Sequence, residues 1–187
     1  MLSHTQIADG GVIPYAAAAD FGEVFTEEMH SLYLLSFLLT GDKDKAEQCF
    51  IGGLGECLEG MGAFMEWARL WARRAIIRQA IRMIKPAPAE ADHSPLVRVK
   101  TAAVPSPNNT LAAIVSLCAF ERFVFVMSIL ERLSDGDCLS FLRCSRRELA
   151  LARELAVRFL ATTDTSSDYL HEALDAWQMF LSSPQLA

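Results

Sequence analysis

The residues of this chain best placed to do chemistry are its arginines, and the chemistry they offer is anion binding. Segment 69–100 holds eight basic residues against Glu90 and Asp92, a net charge of +6. At about 100° per residue, Arg74, Arg78, Arg82 and Lys85 fall within about 80° of one another on a helix. Such a stripe can meet phosphates, each neutralised charge adding a salt-dependent increment. A second set, Arg143, Arg146, Arg147 and Arg153, falls in 143–153, where a helix start is expected at Ser145. An arginine entering a major groove there forms a bidentate guanine contact worth about 1–3 kcal/mol. The alternative for both sets is a solvated basic face.

Little else in the sequence points to chemistry. His4, His30, His93 and His171 are scattered, and no metalloprotease, nucleophile-elbow or paired-carboxylate pattern occurs. No catalytic residue and no cofactor are therefore expected. Glu27, Glu28, Asp42 and Asp44 read as charges at helix starts, where the macrodipole favours them. Cys49, Cys57, Cys118, Cys138 and Cys144 form no C-x-x-C pair. They read as free thiols of a reducing cytosol. A zinc site from Cys138, Cys144 and a distant histidine is the alternative, and no metal is expected. Five of the ten glycines lie in 52–62 without forming a phosphate loop. They predict close helix packing or a bent helix.

The elements that must position the arginines follow from composition. The chain has 187 residues, 52% hydrophobic and 21% charged, and few strand formers outside 114–126. That predicts an all-α protein: two small helical bundles joined by a proline-rich linker, the second containing a helix-turn-helix. A loose arm is expected over 1–22, the first bundle over 23–85, the linker over 86–109, the second bundle over 110–163 and a C-terminal helix over 164–187. Five of the seven prolines lie between 86 and 107, and Pro86 and Pro88 end the helix that begins near 63. In the first bundle a helix over 26–39 with Thr26 as its N-cap stops at Gly41, and a second starts at Asp42. In the second bundle a long helix spans 110–133, followed by short helices at 135–142 and 145–161. The apolar run 111–130 carries Glu121 and Arg122 at its middle, each costing about 2.5–3.5 kcal/mol in a membrane, so a buried helix and no membrane insertion are expected. With no basic-then-apolar leader at the N-terminus, the expected location is cytoplasmic.

Three stretches carry a resemblance. Residues 32–47 read Leu-Tyr-Leu-Leu-Ser-Phe-Leu-Leu-Thr-Gly-Asp-Lys-Asp-Lys-Ala-Glu; residues 64–74 contain Trp67, Ala72 and Arg73; and residues 120–158 contain Phe120-Glu121-Arg122-Phe123 and a predicted helical hairpin with Leu149 at its buried position. In order and spacing these resemble the extracytoplasmic-function sigma factors of bacterial RNA polymerase. The resemblance covers about 105 of the 187 residues. It implies a first domain that docks on core RNA polymerase through Glu47 and Gln48, with Trp67 packing its core and Arg73, Arg74, Arg78 and Arg82 reaching promoter DNA. It implies a second domain whose helix-turn-helix reads an upstream element through Arg143, Arg146, Arg147 and Arg153. A membrane-tethered inhibitor (an anti-sigma protein) or a second copy of the chain is a further implied partner. The chain departs from the family at Ile51-Gly52, where Gln-Glu is usual, at Arg143, where glycine commonly makes the turn, and at Ala150, Leu151 and Ala152, which replace polar residues. These departures favour an alternative function: a divergent paralogue that has lost polymerase or DNA binding and acts as a protein-interaction or regulatory module.

Overall fold

The computed structural model describes residues 18–59, 67–88 and 110–163. Among these residues all regular structure is helical, with no strand. Helices α1 (Ala18–Glu27), α2 (Met29–Thr40), α3 (Lys43–Glu59) and α4 (Ala68–Ile84) form a first group. A second comprises α5 (Thr110–Ser116), α6 (Ala119–Phe125) with a π-helical turn at Val126–Leu130, α7 (Asp135–Leu142) and α8 (Arg146–Thr163). Residues 1–17 of the expected arm, the start of the helix predicted from 63, residues 89–109 of the linker and the expected C-terminal helix lie outside the described residues.

Local chemistry sets most helix ends. Gly41 closes α2 in a left-handed conformation, φ 68°, which glycine adopts without a Cβ clash. Asp42 then opens α3, its carboxylate accepting from the Lys45 N–H at 2.9 Å. Lys85 ends α4 at φ 51° just before Pro86, where the next proline offers no N–H. Ser134 caps α7, its hydroxyl accepting from the Asp137 N–H at 3.1 Å.

Two expectations are corrected. Thr26 is not an N-cap: it lies inside α1 and donates its hydroxyl to Gly22 O at 2.8 Å. The chain breaks at Glu28 instead, so the predicted 26–39 helix is two helices. α1 starts within the expected arm because Phe21 and Phe25, one turn apart, both reach the core. The predicted 110–133 helix is likewise interrupted, at Leu117 and Cys118, where Cys118 is extended (ψ 153°). The carbonyls freed at this break are taken up by Arg122, described below.

The glycines of α3 serve packing. A Cβ on Gly53 would lie 2.5 Å from Ile76 Cδ1, and one on Gly52 2.6 Å from Gln79 Nε2, so bare backbone lets α3 sit close against α4. The buried side of α4 is built from small residues, Ala68, Ala72, Ala75 and Ala80, with Ile76 and Ile77 between them. Leu32, Leu35, Leu38 and Leu39 of α2 are fully buried, each contributing roughly 1.5–3 kcal/mol by leaving water.

The two helix groups are not held apart. Buried residues of both, from Phe21 to Leu160, form one continuous apolar cluster. Helices α5 and α6 pack on α2, and α7 packs on α4. The finer arrangement predicted from sequence, two bundles linked only by a tether, gives way here to two groups sharing a core. No helix among the described residues is long and apolar enough to cross a membrane.

Candidate nucleic-acid interface

Helices α7 and α8 follow one another as a helical hairpin on the second group. The turn is made by Arg143, which adopts a left-handed conformation, φ 51° and ψ 43°, at the position where glycine is commoner; an L-residue there costs roughly 1–2 kcal/mol. Ser145 and Glu148 then form a reciprocal capping box. The Ser145 N–H donates to Glu148 Oε2 at 2.7 Å, and the Glu148 N–H donates to Ser145 Oγ at 3.3 Å. The backbone N–H and hydroxyl of Ser145 hold the Glu148 carboxyl below its ordinary value. One face of α8 carries Leu149, Ala152, Ala156 and Leu160 into the core. Ala152 is thus a core residue rather than a DNA-facing one. The opposite face shows Arg146, Arg147, Ala150, Leu151, Glu154, Val157 and Arg158 to solvent.

The eight predicted DNA-contacting arginines fall into three sorts. Arg143, Arg146 and Arg147 are exposed around the first turn of α8, and among the described residues none of them has an acidic partner. Arg78, Arg82 and Arg153 are paired within their own helix group. Arg78 Nε and Arg82 Nη1 both bind the carboxylate of Glu56 on α3, the latter at 2.6 Å, and the Arg78 guanidinium also lies over the Trp71 ring at 5.0 Å. Arg153 donates to Ser128 Oγ at 3.1 Å and to Asp135. Arg73 and Arg74 are tied across the groups, Arg74 to Asp137 of α7 at 3.1 Å.

Arg73 does not stand on an outward ridge. Its side chain is 12% exposed and faces the Glu131 carboxylate, itself 4% exposed. Nε and Nη2 donate to the two Glu131 oxygens at 2.6 and 2.7 Å, a bidentate fork. Nη1 donates to Ser31 Oγ at 2.7 Å and to Glu28 Oε2 at 3.3 Å. Burial alone would pull this guanidinium down; the Glu131 and Glu28 carboxylates outweigh it and hold it above its ordinary value. Local sequence pattern could not point to these partners, because Glu131 lies 58 positions away in the chain. The helical stripe drawn from α4 alone could not show that acids from α3, α7 and the segment after the π-helical turn face it.

Arg122 is a structural residue the sequence half revealed, as a charge misplaced in an apolar run. Its guanidinium is buried and donates to four backbone carbonyls: Leu39 O and Thr40 O at the end of α2, and Val115 O and Leu117 O at the break before α6. Helix ends leave such carbonyls without partners, and a cation there also complements the helix dipole. Burial pulls this guanidinium below its ordinary value.

The positions predicted to face polymerase, Glu47 and Gln48, are exposed on α3, followed one turn later by Ile51, 60% exposed. Trp67, expected in the core, is instead 57% exposed at the start of α4, near exposed Leu70 and Trp71. All five cysteines are free. Among the described residues no group of three or more histidine, cysteine, aspartate or glutamate side chains is placed to hold a metal. Comparison of this chain with protein-family models, with curated proteins and with solved structures finds no match.

Proposed function

We propose that this protein is a divergent sigma-like transcription initiation factor that meets duplex DNA through the first turn of α8 and core RNA polymerase through the outer face of α3. The observation that carries the reading is the set Arg143, Arg146 and Arg147, exposed and, among the described residues, without carboxylate partners at a capped helix N-terminus. The five other predicted arginines are each paired with a carboxylate. A helix N-terminus presented by a short turn is the usual way for a helical hairpin to enter a major groove. Free guanidiniums there supply both phosphate contacts and guanine recognition.

The test is binding of labelled duplexes across a salt series, together with co-purification with core polymerase. In the wild type, log affinity falls with log salt. In Arg146→Ala/Arg147→Ala the slope is shallower by about two, at roughly 0.9 per lost phosphate contact. An unchanged slope and affinity in that variant removes α8 as the DNA-reading element. Failure to co-purify with polymerase removes the initiation role.

A second reading, a protein-interaction or regulatory module, is favoured by one observation. Leu151 is 50% exposed in the middle of the solvent face of α8, and Ile51 is more exposed still on α3. Such apolar residues on both candidate contact faces suit a protein partner. Retained partner capture by a chain that binds neither duplex DNA nor polymerase supports this reading over the first.

A further inference from the structure

From the sorting of the arginines by partner, and resting on the DNA-binding reading above, we infer that Arg73–Glu131 and Arg74–Asp137 form a charge latch that fastens α7 and the segment before it to α4, at the edge of the core the two helix groups share, and withholds these two α4 arginines from external polyanions. The pairs within one group, Arg78 and Arg82 with Glu56 and Arg153 with Asp135, do not depend on the contact between α4 and α7. The pairs of Arg73 and Arg74 with Glu131 and Asp137 do, because their acids belong to the segment after the π-helical turn and to α7.

Three features make these pairs a latch rather than mere packing. First, Arg73 keeps Ser31 and Glu28 as partners on its own group, so it stays positioned when Glu131 leaves. Second, Arg74 and Asp137 are each about one-third exposed, so an incoming phosphate can reach this pair first. Third, α4 is already positive in the closed form: Arg78 and Arg82 share the single carboxylate of Glu56, and exposed Lys85 has no acidic partner among the described residues. Opening frees Arg74 on that stripe and leaves Arg73, beside it, with only the Glu28 carboxylate that Arg69 also binds. The chain joining Ile84 to Thr110 reaches on the order of 80 Å when extended, so covalent continuity does not oblige α4 and α7 to touch.

The experiment has one arm that needs no DNA. Amide hydrogen exchange of the full chain reads the protection of α7 for wild type, Glu131→Gln/Asp137→Asn, Asp137→Arg, and the charge swap Arg74→Asp/Asp137→Arg, each checked for native helix content by circular dichroism. The latch predicts faster exchange of α7 in the first two variants and a return to wild-type protection in the swap. The second arm measures binding of a random-sequence duplex in an Arg146→Ala/Arg147→Ala background, which silences α8. There Glu131→Gln/Asp137→Asn steepens the salt slope by about two, for two recovered phosphate contacts. Unchanged α7 protection in the helical Asp137→Arg variant, a swap that fails to restore it, or a slope that does not steepen overturns the latch. Failure of the DNA-binding reading shows elsewhere, as an α8 variant that binds duplex as wild type does.

Discussion

Replacing Arg122 by methionine isolates the part of this fold least obvious from its composition. The substitution keeps a long unbranched side chain and removes five hydrogen bonds to four carbonyls. Hydrogen bonds to a charged group contribute about 1.5–3 kcal/mol each, and a buried acceptor left unmade costs about 1–3 kcal/mol. Summing them overstates the effect, because a guanidinium buried without a carboxylate itself costs several kcal/mol to desolvate. Methionine recovers that penalty. The carbonyl cost is the larger, because Leu39 O and Thr40 O end a helix whose last turn is buried. The net expectation is a loss of about 2–4 kcal/mol. For a chain of this size that lowers the melting temperature by roughly 5–15 °C. Urea unfolding monitored by circular dichroism, with the midpoint and slope fitted separately, measures it. Arg122→Lys keeps the charge but cannot fork across both helix ends, so it falls between the two. If Arg122→Met unfolds within about 0.5 kcal/mol of wild type with an unchanged slope, the carbonyls find other partners and Arg122 does not join the helix groups.

Two further predictions come from the core. Gly53→Ala places a methyl 2.5 Å from Ile76 Cδ1 and 3.3 Å from the Ile76 backbone nitrogen; overpacking of this kind outweighs the gain in helix propensity and destabilises by about 1–2 kcal/mol. Gly55→Ala meets nothing within 4 Å, so it stabilises by about 0.5–1 kcal/mol, and the opposite signs are read from the urea midpoints. Burial raises the thiols of Cys49, Cys57 and Cys138 from 9.0 to about 11. The folded state therefore holds these protons more tightly than the unfolded chain. The stability they contribute is complete below pH 9 and is lost as pH rises through about 11. At pH 8 these three resist alkylation until denaturant is added, as peptide mass mapping would show; fast labelling of any of them in the native protein contradicts the packing of α3 or α7.

Much of the fold and part of the candidate site were legible beforehand, for reasons tied to particular residues. Gly41, Asp42, Ser134, Ser145 and Pro86 act through their own backbone or the nearest turn, so the ends they set were readable from neighbours in the chain. The helix start at Thr26 was misread because a threonine hydroxyl serves an N-cap and an i−4 carbonyl equally well, and the choice fell to the distant surfaces that bury Phe21 and Phe25. The long apolar run from 110 reads as one helix by periodicity. What divides it is an arginine near its middle, whose carbonyl partners lie partly on α2.

The sequence by itself determined that this chain is helical, that glycines cluster in α3, and that arginines gather on α4 and at the start of α8. These are properties of neighbours, of periodicity and of composition. Only the tertiary structure decided which arginines remain available, since a guanidinium is committed or free according to carboxylates up to 63 positions away. Charge acts through space and not along the chain. The same stripe of α4 that reads as a DNA-binding ridge in isolation becomes, once α3 and α7 arrive, the cationic half of an internal set of ion pairs.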